Sequence, residues 1–74
     1  MSNANNKAVQ QLIQIANSLR EGTATYSSTL EALGEAGGEH AVEYLINIVN
    51  SLRPGTGAHQ IAIKALGRAG RITE

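Results

Sequence analysis

The chain has 74 residues, a formal net charge of zero and no cysteine. That length allows one small domain, burying only about 60% of its unfolded surface. The missing cysteines exclude disulfides and thiolate metal sites, and the charge balance argues against a dedicated nucleic-acid or anionic-membrane surface.

In chain order, residues 1–6 are polar and read as a disordered tail, with no apolar signal segment behind them. Residues 7–20 predict a first helix, with Ala8, Val9, Leu12, Ile13, Ala16 and Leu19 at helical spacing. Gly22 is expected as the left-handed residue closing it. Thr23 is expected as the N-cap of a second helix over about 24–36, whose apolar positions are Leu30, Leu33 and Ala36. Gly37-Gly38 separates this pair from the next. A third helix is predicted over 40–52 on Ala41, Val42, Leu45, Ile46, Val49 and Leu52. Pro54 stops it, and Gly55-Thr56 repeats the earlier punctuation. The fourth helix, over 57–69, carries Ala58, Ile61, Ala62, Ala65, Leu66 and Ala69; residues 71–74 form a C-terminal tail. No strand alternation is present. With 42% hydrophobic residues but neither Phe nor Trp, the core must be aliphatic. No apolar run approaches the ~20 residues of a membrane span, so a soluble, cytoplasmic protein is expected.

The second half copies the first. Sliding residues 4–37 by 33 positions onto 37–70 gives 16 identical pairs out of 34, among them Asn17-Ser18-Leu19-Arg20 with Asn50-Ser51-Leu52-Arg53. A fixed period of this size marks stacked repeats. The prediction is an all-α fold of two helical hairpins, with a domain over 7–70 and repeats 4–36 and 37–69. Gly34 and Gly67 each sit inside a helical pattern, where glycine costs roughly 1 kcal/mol against alanine. Their use at the same phase predicts close approach of a neighbouring backbone at both positions, rather than fraying.

Glu31-Ala32-Leu33-Gly34-Glu35-Ala36-Gly37 and Lys64-Ala65-Leu66-Gly67-Arg68-Ala69-Gly70 carry an Ala-Leu-Gly-x-x-Gly element. Together with Gly37-Gly38-Glu39-His40-Ala41-Val42-Glu43-Tyr44-Leu45-Ile46, they resemble HEAT-like repeats of the phycobilisome-lyase type, over residues 7–70. The resemblance implies an α/α superhelix with the Ala-Leu-Gly helices on the convex side and the Ala-Val helices lining the concave side. It also implies a functional class: binding scaffolds, or subunits and relatives of bilin lyases acting on phycobiliproteins. The chain departs from that pattern before the outer helices, where Gly22-Thr23 and Pro54-Gly55-Thr56 replace an Asp-Pro. Tyr26, Ser27, His59 and Gln60 stand where arginines are common.

No catalytic, cofactor or metal site is assigned. His40 and His59 are 19 residues apart without a zinc-site spacing. Glu31, Glu35, Glu39 and Glu43 are split by the Gly37-Gly38 break and read as a solvated face. The chain has no Asp for a catalytic triad and no phosphate-binding glycine motif. The duplicated Asn-Ser-Leu-Arg-x-Gly-Thr segment reads as core, caps and turn. The polar face of the Ala-Val helices is the candidate partner-binding surface: Gln11, Gln14, Glu43, Tyr44 and Asn47, with Tyr44 as a contact anchor. Self-association is expected as well, because two repeats are fewer than a stack usually needs. Ile48, Ile63 and Arg68 are its candidate residues. Glu31 and Glu35 correspond to Lys64 and Arg68, a sign reversal that would set opposite charges side by side in a stack. The expected function is therefore a non-enzymatic module binding a protein or peptide, with a self-assembling structural unit as the other reading.

Overall fold

The computed structural model describes residues 3–71. Within them lie four helices: α1 (Asn3–Ser18), α2 (Ala24–Ala36), α3 (Glu39–Ser51) and α4 (Gly57–Arg71). They form two hairpins, α1–α2 and α3–α4, stacked side by side, and no strand occurs among the described residues. The most extensive packing between elements joins α2 to α4, whereas α1 and α3 touch only sparsely.

α1 begins four residues before the periodic stretch, so residues 3–6, expected as tail, form its first turn. Asn5 explains part of this: its Nδ2 donates to the carbonyl of Ala36 at 3.2 Å, satisfying an orphan acceptor at the end of α2. α4 likewise runs on to Arg71; residues 1, 2 and 72–74 of the two expected tails lie outside the described residues.

The helix ends differ from expectation in one respect. α1 and α3 stop at Ser18 and Ser51, so Gly22 and Gly55 are not their capping residues. Each serine folds its hydroxyl back onto a carbonyl of the last turn, Ser18 to Ile15 and Ser51 to Ile48. Leu52 then turns extended, and its side chain is buried. The reversal follows over Arg53-Pro54-Gly55-Thr56, where the Thr56 N–H donates to the Arg53 carbonyl at 3.4 Å. Pro54 supplies the fixed φ of the second turn position, and Gly55, at φ 90°, supplies the positive φ that the third requires. The threonines act as predicted. Thr23 Oγ1 accepts from the Tyr26 N–H and Thr56 Oγ1 from the His59 N–H, while both hydroxyls donate back to the preceding arginine carbonyl.

The core is Leu and Ala. Leu30, Leu33 and Leu45 are fully buried, as are Ala41, Ala62 and Ala69. Tyr26 and Thr29 are buried too, positions that the apolar pattern of α2 did not mark. Small residues permit the close α2–α4 contact. An ideal Cβ on Gly34 would lie 2.9 Å from the Ala65 carbonyl oxygen and 3.0 Å from the Ala65 Cα, so the backbones meet there with no room for a side chain.

Gly67 is a correction. A Cβ there would meet nothing within 4 Å. Its phase matches Gly34, but among the described residues no helix packs against Gly67 as α4 packs against Gly34.

Candidate interaction surface

Helices α1 and α3 lie in the layer opposite the α2–α4 contact. Gln11, Gln14, Glu43 and Asn47 are all exposed on them. Tyr44 differs from these. It is half-buried against the core, and its hydroxyl donates to Asn17 Oδ1 at 2.7 Å, joining α3 to α1. Burial, reinforced by the nearby Tyr26, raises its phenol above the usual pKa, so it stays a neutral donor. Burial also raises the Tyr26 phenol, with Glu21 adding to the effect. Tyr44 is thus first a strut between the two hairpins. The close approach of the hairpins lies on the α2–α4 side; α1 and α3 stand apart and are bridged by this bond.

The self-association candidates separate. Ile48 packs half-buried against the core. Ile63 is 47% exposed on α4. Arg68 pairs with Glu35 across the two hairpins, as the charge reversal predicts, and both side chains remain mostly exposed. Lys64 and Glu31 line the same open groove between α2 and α4. His40 is exposed and His59 half-buried. Among the described residues, no group of three or more His, Asp or Glu side chains is placed to hold a metal ion, and no helix is long and apolar enough to cross a membrane.

Comparison with family models, curated proteins and solved structures finds no match for this chain. Asn17 is the residue that sequence reasoning underused. Its duplication at Asn50 was visible, but its role as the Tyr44 acceptor depends on a contact 27 residues away.

Proposed function

We propose that this chain is a non-enzymatic interaction module of the HEAT-like kind, holding a protein or peptide on the polar face of α1 and α3. The observation that carries the reading is the set of exposed amides Gln11, Gln14 and Asn47 on two neighbouring helices whose core packing lies elsewhere. Amides donate and accept hydrogen bonds without charge, which suits recognition of polypeptide by a chain of zero net charge. Glu43 at the same face would favour a basic group on the partner.

The test starts from a partner captured by the full chain and purified. The triple variant Gln11→Ala, Gln14→Ala, Asn47→Ala touches only exposed side chains, so its helical circular dichroism should match the parent. Its affinity for that partner should fall at least tenfold. Unchanged affinity would place the binding surface elsewhere. Tyr44→Ala is a poor probe, since it also removes core packing and the bond to Asn17.

A further inference from the structure

The chain holds its own template for a contact it leaves unmade. Equivalent residues of the two hairpins, 33 positions apart, are buried unequally, and the inequality has a direction. On the side of hairpin one that hairpin two covers, Leu30 is 0% exposed and Gly34 is buried; their equivalents Ile63 and Gly67 are exposed. Ile46 is 42% exposed, against a half-buried Ile13. On the opposite side the inequality reverses. Ala41 and Leu45 are fully buried, whereas Ala8 is exposed and Leu12 only half-buried. The described residues therefore present two different faces, each the shape of one half of the internal interface.

We propose that these faces bind each other between copies, so that the chain assembles head to tail. The occupant of the α4 face is a second copy of this chain, seated by its α1–α2 hairpin as α3–α4 is seated within one molecule. Charge fixes the choice. Internally, Glu35 meets Arg68. In the assembly Arg68 takes the place of Glu35, and Glu35 of the next copy takes the place of Arg68, so the pairing is again opposite. Lys64 and Glu31 repeat the arrangement. Gly67 then meets Ala32, as Gly34 meets Ala65. Asn50 takes the place of Asn17 and faces Gln11, an amide able to replace the Tyr44 hydroxyl as donor. A stack turned face to face would instead oppose two α4 faces that both carry Lys64 and Arg68. Thr25 and Ser28 stand where hairpin two has Ala58 and Ile61, so the contact between copies is weaker than the internal one. Two unlike faces joined in this way generate rings or open filaments rather than a closed symmetric dimer.

Sedimentation equilibrium of the full chain should show a mean mass that rises with concentration past the dimer. Gly67→Gln should remain monomeric over the same range with unchanged helical circular dichroism, because nothing in the monomer lies near that position. Register is tested by Gln11→Cys with Asn50→Cys, two exposed positions that face each other across the proposed contact in this cysteine-free chain, joined by a short bis-maleimide. Cross-linking of the double variant should give a ladder of covalent multimers, or closed rings, while each single variant gives at most a dimer. A parent that stays monomeric at all concentrations overturns the proposal. So does a Gly67→Gln variant that associates like the parent, or a double variant that yields only dimers. None of these readouts depends on a partner at the α1–α3 amide face.

Discussion

One methyl group separates two glycines that occupy the same phase of the repeat. Gly34→Ala gains about 1 kcal/mol of helix propensity. It also drives a Cβ into the backbone of Ala65, 2.9 Å from its carbonyl oxygen. Overpacking of this kind costs ~1–3 kcal/mol, and a backbone atom cannot swing aside, so the net effect is destabilising. Gly67→Ala meets nothing and should stabilise by about 1 kcal/mol. Urea unfolding at low protein concentration compares the two; midpoints shifting in the same direction would show that the α2–α4 approach is looser than described. Position and phase were legible in the sequence. The difference in environment was not, because it depends on which helix packs against each glycine.

At the scale of elements, the loops are as informative as the helices. Each threonine between helices both caps the coming helix and ties back to the arginine carbonyl behind it. Thr23→Ala and Thr56→Ala should each lower stability by about 1 kcal/mol, within the usual range for a lost N-cap. Thr→Ser at either site keeps the oxygen and should cost less. Thermal melts of the four variants check this, and an alanine variant as stable as its serine counterpart would remove the capping role. Punctuation of this kind made the helices readable: glycine, proline and threonine marked the loops, and the 3.6-residue spacing marked the faces. The early start of α1 was hidden, because Asn5 contributes through a carbonyl 31 residues away rather than through local apolar spacing. The Glu35–Arg68 pair was readable from the sign reversal alone. With both side chains mostly exposed it is worth only ~0–1 kcal/mol, so it selects register more than it adds stability.

The whole molecule is asymmetric despite its repeat. Repetition predicted two like hairpins; it did not predict that Tyr44, marked as a contact anchor, would pack half-buried against the core and bond Asn17. Periodicity turned Tyr44 off the main apolar stripe of α3, but packing against the core, which no local pattern shows, decides its burial. A consequence follows from where each helix sits. α2 touches all three others, while α1 touches α2 and α3 and, among the described residues, does not reach α4. Among the described side chains of α1, only Val9 and Ala16 are buried, although it is the longest helix described. Amide hydrogens of α1 should therefore exchange with solvent through a local opening that leaves α2–α4 standing, as elements with few buried contacts do. Those of α2 around Leu30 and Leu33 should exchange only through global unfolding. Native-state hydrogen exchange in low urea reads the two regimes directly. The α1 amides should be nearly insensitive to denaturant, and the α2 amides should show the full unfolding slope. A common slope for both helices would mean that the chain opens as one cooperative unit.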